Sequence, residues 1–365
     1  MSRPHVSRVA RLVAAVAIAT LITSFSPGAA VAAPVVEPVV GGLSGPRGID
    51  VGPGGRIFFS EDDGTISRST VVGDKVTTVE LGQVPAEGFA PALAHRAGLT
   101  VALTTGGPPG TGAGTLYRVV PFGESRPVAD ISAYQVTDPD PYDLEGFPED
   151  SNPYGVELLG DGSALVADAA GNDLLRVYPH GEIVTVARIK PRVVPFPDGF
   201  PPGFGFPPAG TPIPSESVPT GVTVGADGYY YVGELRGFPA TPGTSLIWRI
   251  TPGAVDAVCD PDAPDVGDCQ VYADGFTSIQ DLDSGSDGSL YVLELVKGGW
   301  FAAEFGLVPP TGGLFRLPAG GGDPTELAVD RLPIPGGVAV RRNGEIFVTG
   351  PIFPGDGAVV ARING

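Results

Sequence analysis

One pattern recurs six times along the chain and leaves few folds open to it. The clearest copy is VPTGVTVGADGYYYVGEL, which starts at Val218. A Pro-x-Gly start leads into a short apolar run, an Asp-Gly turn, a run of aromatic and β-branched residues, and an acid. Val222, Val224, Tyr229, Tyr231 and Val232 suit a pleated, half-buried surface. Asp227-Gly228 between them supplies the positive φ that a tight hairpin turn requires. A third apolar run, residues 246–250, follows after a loop. One such meander cannot bury both of its faces, so the copies must stack on one another.

The register is regular. Gly55, Gly162, Gly228 and Gly344 each stand nine residues after a proline, namely Pro46, Pro153, Pro219 and Pro335. Six residues after the turn glycines stand Glu61, Thr104, Asp168, Glu234, Glu294 and Gly350. Six such units around an axis predict an all-β fold, a six-bladed β-propeller of mostly four-stranded blades. The sixth unit shows only three strands, and the apolar run 35–40 has no turn partner of its own. The N-terminal run is therefore predicted to complete the last blade and close the ring, with the Pro-x-Gly starts lining the axis.

Composition agrees. The chain has 55 Gly and 40 Pro in 365 residues, yet 42% of residues are apolar, which disorder would not allow. Residues 1–32 read as a signal peptide: Arg3, Arg8 and Arg11 precede a short apolar stretch, and Ala30-Val31-Ala32 gives a small-x-small cleavage pattern. Residues 33–365 are the propeller, with no further stretch able to span a membrane as a helix. The expected localisation is secreted, extracellular or associated with the cell envelope. Loss of residues 1–32 removes three Arg and no acid, which moves the formal net charge from −19 to −22. So acidic a chain lacks the basic stripe that nucleic acid demands. Cys259 and Cys269, the only cysteines, are expected to form a disulfide in an oxidising compartment.

The VADAAGNDLLRV run ending at Val177, with the Pro-x-Gly starts, is similar to the NHL-like repeat of six-bladed propellers. NPYGV from Asn152, VPTGVTVGADGYYYVGELRGFP from Val218 and DGSLYVLEL from Asp287 resemble the ScyD/ScyE family of exported proteins. The resemblance spans residues 45–365 and implies export and a propeller. It implies no settled biochemical activity.

Long insertions fall at 137–151, 190–217, 235–244 and 296–312, all on one face of such a propeller; the other face carries tight glycine turns. Elaborated loops on a rigid scaffold are common binding surfaces. The loop 190–217 carries Phe196, Phe200, Phe204 and Phe206, as a ligand platform or as rings packed onto the blades. The acids Glu61, Asp168, Glu234 and Glu294 read as a repeat device that closes a turn between strands. At the axis the candidate ligand-binding residues are Arg47, Asn152, Tyr154, Thr220 and Asp281, with Gln280 beside them. Asp281 replaces the glycine found at Gly48, Gly155, Gly221 and Gly337.

Two functions compete. One is a secreted recognition module for a small molecule or a cell-surface partner, acting as a monomer through the loop-rich channel mouth. The other is a calcium-dependent lactonase or esterase, for which Asp281 and Asn152 are the candidate metal ligands. His95 and His180 do not stand at the channel starts, so a histidine relay lacks support.

Overall fold

The computed structural model describes residues 35–86, 88–201, 205–353, 355 and 357–364. The expected signal peptide 1–32 and Phe204 lie outside these residues. Six sheets, each built on four antiparallel strands, form the blades of a β-propeller, and in five of them these four strands follow in sequence order. The inner strands are Ile49–Gly52, Ala92–Arg96, Pro153–Leu158, Pro219–Val224, Ile279–Ser284 and Val338–Val340, for blades 1 to 6. Each inner strand packs against the next, and the sixth packs against the first. Between blades the apolar faces interlock; Leu165, Leu174, Val232, Leu246 and Trp248, for example, share one buried cluster.

The ring closes as the repeat predicts. Val35–Leu43 pairs antiparallel with Ala358–Asn364, from Val35 opposite Asn364 to Leu43 opposite Ala358. It is the outer strand of blade 6 and runs three residues beyond the expected 35–40. Helices are confined to Ile131–Gln135 and Trp300–Glu304 among the described residues. No described helix is long and apolar enough to cross a membrane.

The Pro-x-Gly glycines have a packing cause. A Cβ on Gly155 would lie 2.2 Å from the Thr220 carbonyl oxygen, and one on Gly221 2.9 Å from Asp281 Cα. Backbones of adjacent inner strands touch there, and only a residue without a side chain fits. Hydroxyls latch the same junctions. Ser60 Oγ accepts from Gly48 N at 2.9 Å and donates to the Pro91 carbonyl at 2.6 Å. Thr349 Oγ1 accepts from Gly337 N and donates to the Arg47 carbonyl at 2.8 Å.

In blades 1, 3, 4 and 5 an acid at the end of the second strand accepts backbone amides. Asp168 Oδ1 accepts from the amides of Asn152, Ala170 and Gly171. Glu234 accepts from Leu246 N, Trp248 Nε1 and Arg236. Glu61 takes Ser44 N, and Glu294 takes Thr277 N. These are turn and blade locks. Arg176, four residues after Asn172, does not reach Asp168 but pairs with Asp161 at 2.6 Å, at the opposite end of its strand.

Cys259 and Cys269 are bonded, with their Cα atoms 4.9 Å apart. They lie in the connection between the third and fourth strands of blade 4. That connection does more than the sequence revealed. Its segment Ala257–Cys259 runs parallel to the outer strand of blade 3, Ile183–Ile189, as a fifth strand.

Candidate functional site

The axis has two ends with different characters. At one end of the axis Arg47, Tyr154, Thr220, Gln280 and Asp281 line a space of only about 30 Å³. One water has that volume in the liquid. Arg47 is 3% exposed and fills the centre. Its Nε donates to the Ala90 carbonyl at 2.7 Å and its Nη1 to the Tyr154 carbonyl at 2.8 Å. Its guanidinium also lies over the Tyr154 ring, 4.3 Å from the centroid. Gln280 Nε2 donates to Tyr154 Oη at 2.7 Å and to the Gly336 carbonyl at 3.1 Å. Thr220 Oγ1 donates to the Ile279 carbonyl. Together these side chains form a plug.

Asn152 is not part of this group. Its Oδ1 accepts from Gly106 N at 3.1 Å, in the loop between strands of blade 2. Asp281, the other metal candidate, spends its carboxylate on two amides. Oδ1 accepts from Leu282 N and Oδ2 from Val338 N, both at 2.9 Å, the second across the gap to blade 6. A carboxylate thus bridges blades 5 and 6, where Gly48, Gly155, Gly221 and Gly337 make close backbone contacts at four other junctions.

The long loops cover each other. Phe196 is buried, and its ring lies 5.2 Å from Phe200 and 5.7 Å from Phe206. Phe301 packs against Phe200 at 5.2 Å and Phe238 at 5.0 Å, so three loops share one aromatic cluster. Trp300 Nε1 donates to the Arg236 carbonyl at 2.8 Å and ties two of them together. No described residue of 190–217 lines the space at the plug.

The other end of the axis, among the tight turns, is open. A cavity of about 800 Å³ is lined by the acids Asp50, Glu157, Asp283 and Glu345 and by His95, Arg96, Arg341 and Arg342. Asp50, Glu157 and Asp283 come from the same inner-strand position. Each stands two residues after the glycine position, after Gly48, Gly155 and Asp281. The corresponding residues of blades 4 and 6, Thr223 and Ala339, are small. The ring does not stand out in the sequence, because Asp50, Glu157 and Asp283 each look like an ordinary polar residue within a strand. Its signal was available: alternation along a strand returns every second side chain to the same face.

Asp50 Oδ2 accepts from His95 N, and Asp283 Oδ2 accepts from Val340 N, each across a blade junction. Burial raises Asp50 to about 7 and Asp283 to about 6. Asp281 is likewise raised to about 7, by burial first. Glu157 differs. Among the described residues no hydrogen bond reaches its carboxylate, and Arg96 approaches only to 4.0 Å. Burial, then the charges of Asp50 and Asp283, push its pKa well above the usual carboxylate range. His95 stacks on Phe58 at 3.7 Å, and burial lowers its pKa.

No three described His, Cys, Asp or Glu side chains gather in a group able to hold a metal ion. The oxygens of Asp50, Asp281 and Asp283 already accept backbone amides, and calcium takes six to eight oxygen ligands, carbonyls and waters included. The described acids at the axis do not themselves form a calcium site.

No protein-family model matches the sequence, and no curated protein does. Solved six-bladed propellers are similar in fold. A gluconolactonase from Xanthomonas campestris aligns with a TM-score of 0.55 at 11% identity, over 90% of this chain and 89% of that one. The PQQ-bound aldose sugar dehydrogenase of Streptomyces coelicolor gives 0.53 at 17%, over 91% and 98%. The calcium-binding protein regucalcin of Agrobacterium tumefaciens gives 0.52 at 10%, over 91% and 93%.

Proposed function

We propose that this chain is an exported recognition propeller, akin by sequence resemblance to the ScyD/ScyE family, that binds a small cationic ligand in the open axial cavity. One observation carries the reading. Three inner-strand carboxylates face a cavity open at the tight-turn end, and one of them, Glu157, has no hydrogen-bond donor among the described residues. Crowded acids in a shielded space resist ionisation. An ammonium group entering the cavity removes that penalty and supplies the donors that Glu157 lacks. The plug of Arg47, Tyr154, Thr220 and Gln280, with Asp281, then acts as the floor of the site, and the loop-rich mouth is not the entrance.

The test is a thermal-shift titration with a panel of primary amines, diamines and amino sugars on the mature protein and on Glu157→Gln. Stabilisation of the wild type by one of these classes, reduced about tenfold in apparent affinity by the substitution, supports the site. An unchanged response in Glu157→Gln removes it.

A hydrolase reading, lactonase or esterase, draws on the same residue. A carboxylic acid whose pKa burial raises is suited to general acid catalysis. The likeness to the gluconolactonase is one of fold alone and names no reacting residue. Turnover of simple lactones that is lost in Glu157→Gln and indifferent to chelator would favour this second reading, since the described acids at the axis do not themselves form a calcium site.

A further inference from the structure

We propose that the outer edge of blade 1 is a docking groove in which an extended, basic segment of a partner protein adds a strand. Blade 3 shows how such a groove is filled. Asp256, at φ 48°, donates its N–H to the Thr185 carbonyl at 3.0 Å. The chain then runs along the outer strand of blade 3, with Ala257 opposite Ala187, Val258 opposite Arg188 and Cys259 opposite Ile189. Lys190 N closes the pairing on the Cys259 carbonyl. Ion pairs flank the inserted strand, Arg188 with Asp256 and Lys190 with Asp260. The host edge is basic and the inserted strand is acidic.

Blade 1 begins the same arrangement and does not finish it. Phe122, at φ 61°, donates its N–H to the Leu81 carbonyl at 2.7 Å, as Asp256 does to Thr185. Gly123, Glu124 and Ser125 then lead straight into blade 2's own outer strand, Arg126–Asp130. Gln83, opposite Thr65, stands where Arg188 stands opposite Asp173 in blade 3, and among the described residues no strand pairs with the outer edge of 83–85. A groove of about 1000 Å³ lies there, lined by Leu81, Gln83, Pro85, Tyr117 and Phe122 among others.

The edge has pairing groups to offer. Val84 N–H turns inward to the Gly64 carbonyl, so strand alternation turns Gln83 and Pro85 outward. Gln83 presents an N–H and a carbonyl, and Pro85 a carbonyl. Phe122 is 79% exposed at a left-handed backbone position, a poor place for a large ring unless something covers it. The charged residues lining the groove are Asp63, Glu80 and Glu124, all acidic. The host charge is thus the reverse of that in blade 3, and so is the charge of the strand it would take. Strand addition of this kind gains affinity from main-chain bonds and selectivity from the flanking side chains.

The probe is acetyl-Lys-Ala-Val-Ser-Lys-amide, the chain's own inserted strand with both flanking acids made basic and its cysteine made serine. Its acidic parent, acetyl-Asp-Ala-Val-Ser-Asp-amide, is the control. Backbone amide NMR of the whole mature protein follows both peptides. The basic peptide should shift amides within 81–86 and 122–125, slow hydrogen exchange at Gln83, and bind about tenfold more tightly than the parent. The exposed double variant Glu80→Lys, Glu124→Lys should reverse the preference. Equal binding of both peptides, shifts scattered over the acidic surface and unmoved by the variant, or no shift up to about 10 mM peptide would overturn the proposal. So would sedimentation showing a second copy of this chain in the groove as a dimer that the double variant disperses.

Discussion

The guanidinium of Arg47 lies 4.3 Å from the centre of the Tyr154 ring and donates to the Tyr154 carbonyl at 2.8 Å, joining blade 1 to blade 3 across the axis. Removing it leaves the carbonyls of Ala90 and Tyr154 without their donor in a buried space. Arg47→Ala should therefore lower stability by about 2–4 kcal/mol, read by chemical denaturation. Arg47→Lys should recover only part, because one ammonium cannot keep the flat stack and both bonds together. Wild-type stability in Arg47→Ala would show that the plug does not hold the axis.

Acid constants at the axis set a pH dependence. Asp50 and Asp281 are raised to about 7 and Asp283 to about 6, from an ordinary value of 3.8. Between about pH 4 and pH 7 the folded state therefore binds more protons than the unfolded chain, and stability falls as pH rises. The depressed acids Asp138 and Asp161 act oppositely, contributing stability that is lost as pH falls below the usual carboxylate range. Thermal stability should peak in mildly acidic solution and decline toward pH 8. Asp50→Asn with Asp281→Asn should flatten that decline. A melting temperature that rises steadily from pH 5 to pH 8 contradicts the assignment.

The architecture was legible because packing imposes the repeat. Gly155 and Gly221 are glycines since the neighbouring backbone leaves no room for Cβ, and the tight turns need positive φ at Gly162, Gly228 and Gly344. Asp281 at a glycine position was legible as an exception, and it proved to bridge two blades. The axial acid ring was written in the same register but two residues further on, where Asp50, Glu157 and Asp283 look like ordinary strand residues. The fifth strand of blade 3 was not legible. Its three residues sit in a Pro- and Asp-rich loop, and their pairing is set by a partner about seventy positions away, beyond any local pattern.

Closure by the first strand should be indispensable. Val35–Leu43 provides the outer edge of blade 6, and Val40 and Leu43 are buried with Phe59 and Phe347. Deleting residues 35–43 exposes that apolar surface and an unpaired edge, so the product should aggregate or fail to give a cooperative melt. A monomer with the wild-type melting temperature would refute this role.

The disulfide clips the fifth strand in place. Both cysteines are fully buried in the cluster between blades 3 and 4. Cys259→Ala with Cys269→Ala should cost about 2–3 kcal/mol on the loop-entropy model. Hydrogen exchange should quicken first at Ala257–Cys259 and at its neighbour strand. Uniform acceleration over all six blades would show that the bond does not act locally.

The central claim is that the axis opens at the tight-turn end, closes at Arg47, and favours cations. Its sharpest test is thiol labelling at two single cysteines. The chain's own two cysteines are buried and bonded, so they give no background. Asn343→Cys places a thiol at the open cavity, and Thr220→Cys places one in the plug. The labels are a cationic aminoethyl and an anionic sulfonatoethyl methanethiosulfonate. The account predicts that Asn343→Cys reacts readily, about tenfold faster with the cationic reagent relative to a free thiol, while Thr220→Cys stays inert until the protein unfolds. Equal labelling at both positions, or preference for the anionic reagent at Asn343→Cys, would contradict it.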